Sequence, residues 1–172
     1  MRYADIPQLT NCGYYAVDVA LDDLERQIDR YVGDYALDLQ PDFQRAHVWG
    51  EERQEKFVQF LLRGGHSSRD IYFNCPGWGR GVIGNFVIVD GKQRLEACLK
   101  FLRGELRVFG YLRREFTDRL SMMNTLKFHV NDLPTREAVL RWYLDLNEGG
   151  IAHTDRELDH VRDLLAQEME RS

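Results

Sequence analysis

The sequence predicts a mixed α/β fold of the α+β class, with a small mixed sheet flanked by helices and a helical C-terminal third. Three observations predict it. Strand-like and helix-like segments are interspersed through the first 130 residues. The apolar run Asn85 to Val89 stops at Asp-Gly and leads directly into a helical pattern. Residues 134–170 show only helical spacing. We expect one domain over residues 1–172, with its core at about 15–130 and C-terminal helices at about 134–170.

The first elements are a strand and two helices. Tyr15 to Val19 alternates like a strand, and the apolar residues that follow it recur at helical spacing: Leu21, Leu24, Ile28 and Tyr31. Residues 34–45 are irregular and contain Pro41. A second helix is predicted from Gly50, closed by Gly64-Gly65.

Two strands and a loop precede the third helix. Asp70 to Asn74 is a short predicted strand, and residues 76–81 form a glycine-rich loop with Trp78 and Arg80. The continuous apolar run at 85–89 is typical of a central strand. A helix is then predicted to about Arg103.

The remaining elements are less regular. Glu105 to Phe109 is a predicted edge strand, and Leu126 to Val130 a further strand. Between them, Tyr111 to Asn124 fits an amphipathic helix or a specificity element, and we favour the helix. Pro134 to Leu146 is a predicted helix that Gly149-Gly150 ends, and the capping-box spacing from Thr154 opens a last one.

Composition and charge exclude several classes of protein. The chain is 44% hydrophobic and 12% aromatic, enough for a packed core. It has no apolar run near the roughly 18 residues of a membrane span and no signal-peptide centre, so we expect a cytoplasmic protein without a membrane partner. Its three cysteines show no zinc or disulfide spacing. Its net charge of −5 means that any contact with DNA must come from a local patch.

The main candidate site is the strand-turn-helix segment Val89-Asp90-Gly91-Lys92-Gln93-Arg94. Glycine permits a tight turn, and the free N–H groups at the start of a helix bind anions. Lys92 and Arg94 add positive charge, and Gln93 adds a neutral donor and acceptor. Asp90, at the end of the strand, is suited to hold a metal ion or to accept a proton. These residue types favour a phosphate ligand.

An ordinary turn with solvated cations is the alternative interpretation of this segment. Cations at a helix N-terminus oppose the helix dipole by roughly 0.3–1 kcal/mol each, so a plain surface would not favour them there. The residues alone leave both interpretations open.

Two further segments accompany it. Gln44 and Arg45 lie between Phe43 and Trp49, which can anchor a loop in the core, although an ordinary aromatic-anchored loop explains them equally. Asn147 and Glu148 precede Gly149-Gly150, which needs no function beyond ending a helix.

Together, the three segments resemble the DGQQR branch of the ParB/sulfiredoxin superfamily, which includes the N-terminal domain of GmrSD-type modification-dependent restriction enzymes. The resemblance covers roughly residues 15–165. It implies that Asp90, Gly91, Lys92, Gln93 and Arg94 bind nucleotide phosphates and support hydrolysis of a nucleoside triphosphate (NTP), with Asp90 and Arg94 catalytic. It also implies that Gln44 and Arg45 line the same cleft. We expect Asn147 to join them as a nucleotide-binding residue if the last helices fold back over the sheet.

From the resemblance we expect an NTP and Mg²⁺, with Asp90 as the possible magnesium ligand, and DNA or a nuclease or effector protein as a further partner. Two departures matter. Lys92 stands where the branch has glutamine and sulfiredoxins place their cysteine, which excludes sulfiredoxin chemistry. The sequence also lacks HxxxH, HNH-like and PD-ExK-like clusters, so we do not expect it to cleave DNA alone.

Three functions therefore compete. The first is an NTP-dependent phosphohydrolase or phosphotransferase linked to DNA modification or phage defence. The second is a nucleotide- or DNA-sensing module without turnover that acts through a partner, with Trp78 stacking on a base. The third is a structural or inhibitory protein that has lost its chemistry, against which the intact Asp90 and Arg94 weigh.

Overall fold

The computed structural model describes residues 15–44, 49–78, 84–148 and 155–171 and confirms the mixed α+β class. In chain order its strands are β1 (Tyr15–Ala20), β2 (Asp70–Asn74), β3 (Val87–Asp90) and β4 (Thr125–Asn131). Its helices are α1 (Leu21–Tyr35), α2 (Glu51–Leu62), α3 (Lys92–Leu102), α4 (Arg136–Glu148) and α5 (Asp155–Arg171).

The four strands form one mixed sheet in the order β1-β4-β2-β3. β2 runs parallel to β4, whereas β1 pairs antiparallel with β4 and β3 antiparallel with β2. The central strands are therefore β4 and β2, and the prediction that the 85–89 run is central was wrong.

β3 lies at the edge of this sheet, and both of its faces are covered. Ile88 and Val89 are fully buried, which explains the continuous apolar run. Asp38 covers part of the open edge, because its N–H donates to the carbonyl of Phe86 (2.8 Å) and its carbonyl accepts from the N–H of Ile88 (3.1 Å). The apolar run therefore indicates that both faces of β3 are covered. An edge strand can be covered on both faces as well as a central one.

Alternation along the strands places a separate core on each face of the sheet. Ile71 and Phe73 belong to a cluster with apolar residues of α1, α2 and α3. Tyr72, Val87 and Val89 belong to a second cluster with apolar residues of α4 and α5. The sheet is thus a middle layer between two sets of helices, and its two faces differ in what covers them.

Residues next to the helix ends explain where α2 and α4 begin and end. α2 begins after Gly50 and ends before Gly64, whose φ of +82° suits glycine. In front of α4, the hydroxyl oxygen of Thr135 accepts from the N–H of Ala138 (3.2 Å), which explains why the helix begins at Arg136 rather than at Pro134.

Residues 105–124 differ from the prediction. The predicted strand at 105–109 is a single bridge between Val108 and Tyr111, and the predicted helix at 111–124 is one short 3₁₀ turn at Arg113–Glu115. Glu115 accepts from the N–H of Leu112 (2.7 Å) and so caps this turn locally. A side chain that bonds nearby backbone competes with a longer helix.

Candidate functional site

The turn between β3 and α3 is built around a glycine that no other residue can replace without strain. Gly91 has a φ of +91° and is buried. A Cβ added to it would lie 2.7 Å from Cδ1 of Ile71 and 3.0 Å from the carbonyl oxygen of Asp70. The close backbone approach expected of this glycine is therefore made to strand β2, which holds the start of α3 against the sheet.

Asp90 and Arg94 face each other across this turn. A terminal nitrogen of the Arg94 guanidinium donates to Oδ2 of Asp90 at 2.6 Å. The Arg94 side chain is only 21% exposed, and its Nε is buried without a hydrogen-bond partner among the described residues. Arg94 is thus held in place rather than solvated, with donor capacity left over.

The N-terminus of α3 carries no side-chain cap. Gly91 occupies the N-cap position, and glycine has no side chain with which to accept from the first N–H groups of the helix. The positive end of the helix dipole therefore lies next to the Asp90 carboxylate and the Arg94 guanidinium. This combination is suited to an anion that would replace Asp90 as the partner of Arg94.

Lys92 and Arg94 do not converge on one point. Residues two apart on an α-helix point about 200° apart. Lys92 is 9% exposed and faces a groove of about 400 Å³ that runs along α3, while Arg94 contacts Asp90. The groove is lined by Leu39, Gln40, Ile88, Lys92, Leu95, Glu96, Leu99, Lys100, Arg103 and Glu105.

The structure brings the predicted glutamines to the turn. The Gln44 side chain donates to the carbonyl oxygens of Val89 (2.5 Å) and Ile88 (3.4 Å). The backbone N–H of Trp49 donates to Oε1 of Gln93 (3.2 Å). These bonds attach Gln44 to β3 and Trp49 to α3. The side-chain amides of Gln44 and Gln93 therefore bind other groups of the protein and do not face an open cleft.

The aromatic anchors of this loop pack as the sequence predicted. Phe43 is 4% exposed and meets Tyr143 edge-on at 5.3 Å. Trp49 packs edge-on against Phe57 at 5.5 Å. Arg45, which the resemblance places in the cleft, lies outside the described residues.

Asn147 is buried in α4, where its amide donates to the carbonyl oxygen of Tyr143 at 2.6 Å. Within the described part of the chain it makes no hydrogen bond to residues 90–94. Asn147 lies on α4, the helix that packs on β3. Its role in the cleft stays a prediction.

Trp78 does not present its ring for base stacking. It packs against the rings of Tyr31 (5.6 Å), Tyr35 (5.3 Å) and Phe86 (5.2 Å). Trp78 is half-buried, and its packing against these aromatic neighbours occupies ring surface that a base would need. Arg80 of the same loop lies outside the described residues.

Sequence reasoning missed a polar row beside Asp90. The strand register places Tyr72 opposite Asp90 on one side and opposite His129 on the other. The Tyr72 and His129 rings stack at 4.6 Å, and Nε2 of His129 lies 2.7 Å from Oδ1 of Asp70. His129 and Asp70 stand 59 residues apart in the chain, and only the parallel pairing of β2 with β4 joins them.

The geometry fits a protein-built magnesium site poorly. Among the described residues no three His, Cys, Asp or Glu side chains are grouped to hold a metal ion. Asp90, the predicted ligand, already accepts from Arg94, whose positive charge opposes a cation at the same carboxylate. Magnesium commonly takes one or two carboxylates and completes its shell with phosphate and water. Asp90 could therefore serve as such a carboxylate only when Arg94 binds another group.

Within the described residues, no helix is both long and apolar enough to cross a membrane.

The chain is similar to a known protein family. Residues 24–133 match the family model of the GmrSD restriction endonuclease, N-terminal domain. The matched region covers more than half of the chain and includes Gln44 and the whole Asp90-to-Arg94 segment, while Asn147 lies beyond it. No curated protein and no solved structure matches the chain.

Proposed function

Because the chain belongs to the family of GmrSD restriction endonuclease N-terminal domains, we propose that it serves in the restriction of modified DNA and in defence against phage. In this proposal it binds a nucleoside triphosphate and hydrolyses it or transfers its phosphoryl group. We also assign Asp90-Gly91-Lys92-Gln93-Arg94 as its version of the DGQQR segment of the ParB/sulfiredoxin superfamily.

The Asp90–Arg94 pair at the uncapped start of α3 carries the proposal. A phosphate at this helix terminus would meet free N–H groups and the positive end of the dipole. It would also compete with Asp90 for Arg94, because a guanidinium binds phosphate in the same bidentate manner as a carboxylate. Transfer of Arg94 to the phosphate releases the Asp90 carboxylate, which then becomes available to orient the attacking hydroxyl or water.

The groove along α3 suits the nucleoside part of the ligand. It begins at Lys92, the first residue of the helix, and its volume of about 400 Å³ falls within the range of small-ligand sites. Leu39, which is half-buried, contributes an apolar surface, and Gln40 contributes donors and an acceptor. We assign Lys92 to the junction between this groove and the phosphates.

A magnesium ion, when bound with the nucleotide, would neutralise charge on the phosphates. Asp90 is the residue that would contact it, after Arg94 has moved to the phosphate. Gln44 and Gln93 keep the turn in place through their bonds to Val89 and Trp49. Arg45 and Asn147 stay in the proposal as further nucleotide contacts on the strength of the resemblance.

The test is phosphate release by the pure protein with each of the four NTPs and magnesium, with and without DNA. We expect turnover with at least one nucleotide and its loss in Asp90→Ala. Glu52→Ala is the matched control, since Glu52 and Lys56 form an equally short i,i+4 pair (2.6 Å) on the exposed face of α2. Turnover that persists in Asp90→Ala would overturn the catalytic assignment.

A second candidate, nucleotide sensing without turnover, is favoured by two observations. The Asp90 carboxylate is already paired, and the described residues hold no three-ligand metal group. In that case calorimetry would detect nucleotide binding that Arg94→Ala abolishes, while no nucleotide is hydrolysed. The DNA half of either function would fail if no DNA affinity is measured even at about 50 mM salt.

A further inference from the structure

Three charged side chains of α3 follow one another along the groove of about 400 Å³ beside this helix. Lys92, Glu96 and Lys100 all line it. Residues four apart lie on the same face of a helix, and each step of four rises roughly 6 Å. The groove therefore presents a cation, an anion and a second cation in a row.

The carboxylate in the middle of this row is not neutralised by its neighbours. A glutamate four residues before a lysine is the orientation that favours an ion pair on a helix. Glu52 and Lys56 of α2 form such a pair at 2.6 Å. Glu96 is half-buried, yet in the described part of the chain it forms no ion pair or hydrogen bond with Lys100 or with any other residue. Both of its oxygens therefore stay available to accept from a ligand.

The two lysines at the ends of the row differ in their surroundings. Lys92 is 9% exposed and has no acidic partner among the described residues. A buried ammonium without a counter-ion is unfavourable, so this end of the groove suits an anion of the ligand. Lys100 donates to Oε1 of the buried Gln54 at 3.4 Å, and an ammonium has two more N–H groups to donate. This end of the groove suits a neutral acceptor.

We propose that the groove selects guanine among the nucleobases and that Glu96 and Lys100 bind the edge of the base. The inference rests on the proposed function, in which Lys92 lies at the phosphates. Guanine carries two adjacent donors, N1–H and the 2-amino group, next to an acceptor, O6. Glu96 accepts from both donors with its two oxygens, and Lys100 donates to O6.

The other bases match this row of groups less well. Adenine and cytosine each present an amino group beside a ring nitrogen that is an acceptor, and uracil presents one N–H between two carbonyl oxygens. Each of them leaves one oxygen of the Glu96 carboxylate without a donor, which is unfavourable in a half-buried site. The order of the row also fits a nucleotide, because Lys92 at the phosphate end is one helical turn from Glu96 and two from Lys100.

The first measurement is calorimetry with Mg²⁺ and the β,γ-imido analogues of GTP, inosine triphosphate (ITP) and ATP, which resist hydrolysis. Inosine lacks only the 2-amino group of guanosine, so the GTP analogue should bind at least about tenfold more tightly than the ITP analogue. The ATP analogue has no N1–H and places an amino group where Lys100 requires an acceptor. It should bind at least about 100-fold more weakly than the GTP analogue.

Two variants assign the contacts to single residues. Glu96→Gln keeps one acceptor oxygen, so it should bind the GTP analogue about tenfold more weakly and bring the affinity ratio of the GTP and ITP analogues close to one. Lys100→Met should weaken both analogues alike, because both carry O6, and should leave their ratio unchanged.

Glu52→Gln is the matched control, since Glu52 has the same spacing to a lysine but does not line the groove, and it should keep the ratio of the unaltered protein. Glu96 makes no hydrogen bond or ion pair within the described residues, so Glu96→Gln should leave Tm unchanged. That result separates a role in ligand selection from a structural one.

Equal affinity of the unaltered protein for the GTP and ITP analogues would overturn the inference, and so would a ratio that Glu96→Gln does not change. In both cases the triphosphates still bind, and the proposed function stands. If none of the three analogues binds, the proposed function fails together with the inference.

Discussion

The Arg94 guanidinium lies 2.6 Å from the Asp90 carboxylate, across the turn that joins the last strand residue of β3 to the first turn of α3. This pairing explains why Arg94 is tolerated in the first turn of α3, where a cation opposes the helix dipole unless an anion is paired with it. Asp90 is that anion in the structure. In our proposal a phosphate replaces it.

Asp90→Asn should separate binding from turnover. The amide no longer holds Arg94 by charge, so nucleotide affinity should stay the same or increase. It also cannot accept a proton, so turnover should fall by about 100-fold or more. Calorimetry and phosphate release measure the two effects. Equal loss of affinity and turnover would instead assign Asp90 to nucleotide binding.

Gly91→Ala should destabilise the fold strongly. The new Cβ would lie 2.7 Å from Ile71 at a φ of +91°, so we expect the free energy of unfolding to fall by roughly 2–5 kcal/mol. Urea denaturation measures it. Gly33→Ala is the control, because Gly33 lies within α1 and a Cβ added there would have no atom within 4 Å. Its free energy of unfolding should rise by about 0.5–1 kcal/mol. Equal effects would contradict the packing account.

Gln44→Glu should loosen the loop from the sheet. The carboxylate cannot donate to the carbonyl oxygens of Val89 and Ile88, so the free energy of unfolding should fall by about 1–3 kcal/mol at neutral pH. Gln40→Glu, an exposed change in the same stretch, controls for added negative charge. A Gln44→Glu protein as stable as the control would show that these bonds contribute little.

The cysteines of the core should be unreactive in the native state. Burial raises the pKa of the Cys75 thiol and raises that of Cys98 well above its usual range. Thiolate is the reactive form, and its population falls tenfold for each unit of pKa, so we expect alkylation of Cys98 at least about 100-fold slower than after unfolding.

Mass spectrometry of single sites after iodoacetamide treatment at pH 8 measures this rate. A Cys12→Ser background leaves only the two core cysteines to follow. Rapid alkylation of Cys98 without denaturant would contradict the buried position.

Much of the fold was predictable because the evidence for it is local. The apolar spacing of Leu21, Leu24 and Ile28 predicts one buried helix face, and these residues are buried in α1. The continuous apolar run at 85–89 predicted a central strand. Ile88 and Val89 are indeed buried, but an apolar run does not report strand order, and β3 lies at the edge of the sheet. At 105–124 no long periodic stripe competes with local turn chemistry, and the predicted strand and helix were wrong.

The sequence by itself determined that β3 ends in Asp-Gly and continues as α3, because glycine, charge and apolar spacing act within one short segment. Only the tertiary structure decided that Lys92 faces the groove, that Gln44 binds Val89, and that Asp70 and His129 meet in a row beside Asp90. The physical reason is that local torsions depend on neighbouring residues, whereas side-chain partners far apart in the chain meet only after strand order and register have formed.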